Sequence, residues 1–188
     1  MKNEILHTIA LTQLDGIGYF NAIKIIEHFG SATAFFENPS EAINVNRITD
    51  NILNKSNLNK ATERAKRELD FIEKNNITPI LISNSAYPQA LKECPDAPVV
   101  LFGKGDFNLN PSKVLSIVGT RKITNYGKAM CEELIKNLPE DVLIVSGLAY
   151  GVDIEIHRLA IESGKSTVAV LAHGLDRIYP STHSGYAK

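Results

Sequence analysis

The sequence has no tryptophan, only 7% aromatic residues and just two cysteines in 188 positions. Its cores must therefore be aliphatic. Cys94 and Cys131 have neither CxxC nor metal-ligand spacing, and free thiols in a reducing compartment are the simplest reading. Neither sign of charge is in surplus: 20 Lys and Arg against 21 Asp and Glu give a formal net charge of −1. That excludes a histone-like or polybasic binder and confines any nucleic-acid contact to a local patch. No apolar run nears the roughly 20 residues of a membrane helix, and no amino-terminal signal-peptide pattern stands out, so a soluble cytoplasmic protein is expected. A strict GxGxxG is also missing, which weakens any dinucleotide reading.

What is present is an organisation in two parts. In residues 1–75 the period is helical. Ala22, Ile25, Ile26 and Phe29 form one apolar stripe, with Gly30 as its expected C-cap, and Ala61, Ala65, Leu69 and Ile72 form a second. Asn38-Pro39-Ser40 and the Asn-rich run from Asn44 to Asn59 suggest short helices with polar connections. From Ile77 the period changes. Ile77–Ile82 and Val99–Phe102 read as short strands in an extended lead-in, 76–112, to a second domain that runs to 188. That domain alternates: strand Val114–Val118, helix Asn125 to Leu138 burying Cys131, Leu134, Ile135 and Leu138, strand Val142–Val145, helix Asp153 to Ser163, strand Thr167–Leu171. Such alternation predicts an α/β fold with parallel strands covered by helices on both faces. Three strands are few for this architecture, so the chain is expected to be a fragment cut inside its second domain.

Two strand-to-helix turns carry the chemistry. The first, Ser116-Ile117-Val118-Gly119-Thr120-Arg121-Lys122, gathers backbone amides, a hydroxyl and two cations at the carboxyl end of a strand, where open α/β sheets bind anions. Gly127 is expected to leave room there for a ligand. The alternative is a plain turn with Arg121 paired to a carboxylate such as Asp153; the phosphate role is preferred. The second, Ser146-Gly147-Leu148-Ala149-Tyr150-Gly151-Val152-Asp153, is a neighbouring loop in which Asp153 is the expected N-cap of the next helix. Asp153 and His157 share a helical face, which invites an acid–base reading; a cap plus a packed histidine is the preferred one. After the third strand, Arg177 extends the basic site, and Tyr179 offers a stacking face or, with Pro180, only a turn. Near the amino terminus, Gly16-Ile17-Gly18 matches a helix-hairpin-helix, a secondary candidate for phosphate contact through Gly16 and Gly18. Few cations accompany it, and Asp15 and Glu27 flank it, so a tight core connection is the preferred reading.

As an ordered set, Tyr87-Pro88, Gly103-Lys104-Gly105-Asp106, Val118-Gly119-Thr120-Arg121, Tyr126-Gly127, Ser146 to Asp153, His157, Gly174-Leu175-Asp176 and Tyr179-Pro180 resemble the DNA-processing protein A (DprA/Smf) family. The resemblance covers the chain from about residue 4 to its end. It implies an all-helical, sterile-alpha-motif-like first domain with a helix-hairpin-helix, followed by a partial extended Rossmann-like sheet. It implies a single-stranded-DNA binder without catalytic turnover or cofactor, which protects incoming strands and helps load the RecA recombinase in natural transformation and recombination. Arg121 would be a DNA contact, with Gly119, Thr120, Ser146 and Gly147 as backbone partners; the reading of the turns themselves adds Lys122, Gly151 and Arg177. Where many members carry Asn after the Tyr-Pro pair, this chain has His183. The family's remaining strands, and the regions tied to homodimerisation and RecA contact, would lie beyond Lys188. The competing class is a nucleotide or nucleoside-phosphate hydrolase using Asp153, His157 and Asp176, but the PGGxGT stretch of such enzymes is missing.

Overall fold

A computed structural model describes residues 2–45 and 48–187; Asn46, part of the Asn-rich run, lies outside them. The chain divides into two compact units, Met1–Lys104 and Gly105–Lys188. The extended segment from residue 76 to 104 thus clusters with the helices before it rather than with the parallel sheet.

In the first unit, helices α1 (Lys2–Thr12), α2 (Tyr19–Phe29), α3 (Ala32–Glu37) and α4 (Lys55–Lys74) precede strand β1 (Thr78–Leu81), the single turn α5 (Gln89–Lys92) and strand β2 (Val100–Gly103). The two strands pair antiparallel, with Thr78 opposite Gly103. Gly30 ends α2 in the left-handed conformation at φ 78°, the backbone state that a glycine adopts without strain. Two side chains cap α3: Ser31 Oγ accepts from the Ala34 N–H at 3.0 Å, and the Glu4 carboxylate accepts from the N–H groups of Ala32 and Thr33 at 2.8 and 3.0 Å. The small residues Ala61 and Ala65 are wholly buried on α4 and let α1 pack close against it. Tyr87 is buried, donates its hydroxyl to the Pro98 carbonyl at 2.7 Å, and has its pKa pushed up to about 12 by burial.

The second unit carries the parallel sheet in the order β3 (Lys113–Ser116), β4 (Val142–Ser146), β5 (Thr167–Ala169), with α6 (Asn125–Asn137) and α7 (Val152–Glu162) as the crossovers. Val142 and Ile144 of β4 meet Cys131 and Ile135 of α6 and Ile156, Leu159 and Ala160 of α7 in one buried cluster. Each fully buried aliphatic side chain there contributes about 1.5–3 kcal/mol. Both helices therefore lie on the face to which alternate β4 residues point. The opposite face bears Val114, Leu143 and Val168; Leu143, on the central strand, is buried there, while Val114 and Val170 toward the edges are 52% and 64% exposed. Leu134, expected in the core, is also exposed: the buried stripe of α6 has narrowed to Cys131 and Ile135.

Candidate functional site

The carboxyl ends of β3 and β4 hold the two glycine turns against each other. The Val152 N–H, first of α7, donates to the Thr120 carbonyl at 3.0 Å. Gly151 has φ +86°, and a Cβ there would overlap the Thr120 carbonyl oxygen and the Arg121 backbone. A Cβ on Gly119 would come within 2.6 Å of the Val152 side chain. Beneath the turns, the buried Ser146 hydroxyl donates to the Ile117 carbonyl at 2.6 Å and ties the two strand ends together. Sequence reasoning placed these residues in neighbouring loops; their interlocking becomes visible only when backbone atoms are in place.

The side chains on this frame divide into braces and free groups. Asp153 is not the N-cap of α7, since Gly151 holds that position. One residue inside the helix, its carboxylate reaches back to accept from the Ala149 N–H at 3.3 Å. A Cβ on Gly147 would collide with the same carboxylate. His157 is buried between two partners: Nε2 donates to the Gly147 carbonyl at 2.6 Å, and Nδ1 lies 2.7 Å from the Thr167 hydroxyl of β5. Burial lowers the imidazole pKa, more strongly than the Gly147 carbonyl and Asp153 raise it. The neutral ring carries its proton at Nε2 for the Gly147 carbonyl, and the single Thr167 hydroxyl proton is shared between Nδ1 and the Ile144 carbonyl, 3.1 Å from the same oxygen. Asp153 and His157 are thus committed to holding the loop, as the packed-histidine reading expects.

Arg121 and Lys122, by contrast, are exposed and form no ion pair among the described residues. The pairing of Arg121 with Asp153 does not occur. The Thr120 hydroxyl accepts from the Lys122 N–H at 3.2 Å and shapes the turn. Helix α6 begins only at Asn125, three residues beyond Lys122, with Thr124 Oγ1 accepting from the Gly127 N–H at 3.1 Å. The turn and the helix start are therefore separate. Gly127 has a packing reason of its own, because a Cβ there would press on the Ile123 side chain at 2.9 Å. Arg177 is exposed on the segment after β5, and no described contact joins it to the two turns. In the first unit, Gly16 has φ +92° and packs toward Ile52, while Gly18 precedes α2 with open space around it. Among the described residues no group of His, Cys, Asp or Glu could hold a metal, and no helix is long and apolar enough to cross a membrane.

The sequence pattern of the DNA recombination-mediator protein A family matches residues 78–188, the stretch that contains the whole of this site. The chain belongs to that family. It is 39% identical over 102 residues to the DNA processing protein DprA of Streptococcus pneumoniae, covering 54% of this chain and 36% of that protein. With DprA of Bacillus subtilis the identity is 38% over 128 residues, or 67% and 43% of the two chains. Protein Smf of Escherichia coli is 33% identical over 123 residues. The X-ray structure of the Streptococcus pneumoniae DprA superposes with a TM-score of 0.67 at 28% identity, over 96% of this chain and 62% of that one. The chain thus spans less than half the length of these curated relatives.

Within this family frame, one feature lay beyond sequence reasoning and another is legible in the sequence only at Tyr179. His183, a departure from the pattern of many members, is buried, with Nδ1 at 2.8 Å from the Leu148 carbonyl and its ring edge-on to Tyr150 at 4.9 Å. It braces the second turn from the carboxy-terminal segment. The other is a set of aromatics: Tyr126 after β3, Tyr150 after β4 and Tyr179 after β5 are 75%, 48% and 70% exposed. Each follows the carboxyl end of a strand, the side on which such sheets bind ligands. The signal was available in the alternation of strand and tyrosine, but exposure could not be read from it.

Proposed function

We propose that this chain binds single-stranded DNA along the carboxyl ends of β3–β5, as part of a protein that protects incoming strands and assists RecA loading in transformation and recombination. The observation that carries the reading is the pair of unpartnered cations, Arg121 and Lys122, on a turn whose backbone is fixed by Gly151 and Val152. Their charge is free for phosphate oxygens. Tyr126, Tyr150 and Tyr179 offer π-faces for unstacked bases, and base–aromatic stacking contributes about 1–3 kcal/mol per base. Gly119, Thr120, Ser146, Gly147 and Gly151 form the frame rather than the contact surface, and Arg177 extends the basic rim. The reading includes no turnover, because Asp153 and His157, the acid–base candidates, are both spent on bracing the Gly147 loop. Partnership with RecA and homodimerisation belong to the same proposal at the level of the longer relatives.

The test is binding of a fluorescent single-stranded oligonucleotide across a salt series, wild type beside Arg121→Ala. The expected result is weaker binding for the variant and a salt slope reduced by about 0.7, the value of one phosphate contact on a single strand. Unchanged affinity and slope would remove the DNA from this turn.

A further inference from the structure

We propose that the face of α4 bearing Lys60, Arg64 and Arg67, together with the hollow beside Gly16, is a second site for the phosphate backbone of DNA. The sequence places few cations near the Gly16–Gly18 hairpin; the fold brings them from forty residues downstream. Asn57 of α4 donates to the Asp15 and Ile52 carbonyls at 3.4 and 2.9 Å, which seats the helix against the hairpin. Lys60 then lines, with Asp15, Gly16, Ile52 and Asn57, a hollow of about 530 Å³. Arg64 meets Asp15 only at 3.9 Å, with both side chains more than half exposed; such a pair contributes little and yields readily to a stronger anion.

The three cations stand at i, i+4 and i+7, within roughly 60° of arc, and rise by about 6 and 4.5 Å along the axis. That row suits a strand carrying one phosphate per about 3.4 Å or more. A groove of about 350 Å³ runs beside them, lined by Ser56, Asn59, Lys60, Glu63, Arg64 and Arg67. Every side chain that lines it is polar or charged, with the aliphatic stems of the lysine and arginines forming the wall and their charged heads at the rim. The acidic member, Glu63, is engaged by Lys66 at 2.7 Å. Amides, a hydroxyl and guanidinium and ammonium groups are what phosphate oxygens accept from.

The proposal shares its ligand with the function proposed above but none of its residues. Its test uses the full chain carrying Lys60→Ala, Arg64→Ala and Arg67→Ala together, in the wild-type and the Arg121→Ala backgrounds, with single-stranded and duplex oligonucleotides. All three positions are exposed, and alanine keeps the helix; circular dichroism checks the fold. The expected result is a salt slope smaller by about 2 on single strands, three contacts at about 0.7 each, in both backgrounds. Lys74→Ala, at the far end of the same helix, should leave the slope alone. A change seen only with duplex would identify duplex as the source and keep the site. Slopes unchanged by the triple variant in both backgrounds overturn this proposal, whatever Arg121→Ala does; a drop with the triple variant alone keeps it and removes the first. Independently, DNA should protect Lys60 but not Lys74 from amine acetylation, and equal labelling with and without DNA would also overturn it.

Discussion

At Gly151 a single methyl group would have to occupy the space of the Thr120 carbonyl oxygen, on a backbone already at φ +86°. Neither neighbour is a flexible side-chain end; both are main chain, so relief requires the two turns to separate. Gly151→Ala is expected to lose the Val152–Thr120 hydrogen bond and about 2–4 kcal/mol of stability, from backbone strain and overlap together. Urea unfolding with a constant m-value measures it, and DNA binding should weaken in parallel although no phosphate contact was removed. Loss of stability without loss of binding would show that the turns hold their ligand geometry independently. The exposed Arg121 should give the reverse pattern on replacement, with binding reduced and unfolding unchanged.

Among the elements, α3 shows how a short helix survives. Six residues, Ala32–Glu37, cannot sustain a helix by propensity. Its start instead receives three acceptor contacts, one from Ser31 and two from Glu4 of α1. Burial pushes the Glu4 carboxyl up, but the Thr33 hydroxyl and the Ala32 and Thr33 N–H groups more than offset it, leaving its pKa below the ordinary 4.5. A depressed carboxyl contributes stability above its unfolded pKa and loses it as pH falls through the folded value. Glu4→Gln should therefore destabilise by about 1 kcal/mol near neutrality and flatten the decline in stability below pH 4.5, read from melts between pH 7 and 3. An unchanged pH profile would mean that the cap carries no linkage. The order of strands and helices was legible in the sequence because apolar runs and stripes change period at Ile77 and again at each turn. The caps were legible only in part: Gly30 announced itself by residue type, whereas Glu4 lies 28 positions from its partner. Leu134 departs from its expected place because a stripe does not say how wide a neighbour covers it.

Taken whole, the molecule carries an acid-sensitive brace in each of its two units, His157 in the second and Glu4 in the first. His157 has a pKa below the ordinary 6.5, so the unfolded chain binds its proton at a pH where the folded unit still excludes it. Stability from that site is complete above pH 6.5 and is lost as pH falls toward the folded value. Glu4 in the first unit starts to fail only below pH 4.5. On stepwise acidification, amide exchange should thus accelerate in the second unit first, and His157→Gln, which keeps a donor for Gly147 and a polar partner for Thr167 without a titrating group, should remove that early phase. Exchange that quickens in the first unit before the second would contradict it. The division into parallel-sheet and helical parts was legible from periodicity, but the attachment of β1 and β2 to the helices was not, since contacts between elements distant in sequence, as between Thr78 and Gly103, leave no local trace. The interlocked turns carry one more consequence, for inheritance. A change at Gly119 or Gly151 alters both turns at once, so a new ligand preference is reached at least cost by exchanging the side chains on the rim, Arg121, Lys122, Tyr126 and Tyr150, over an unchanged main chain.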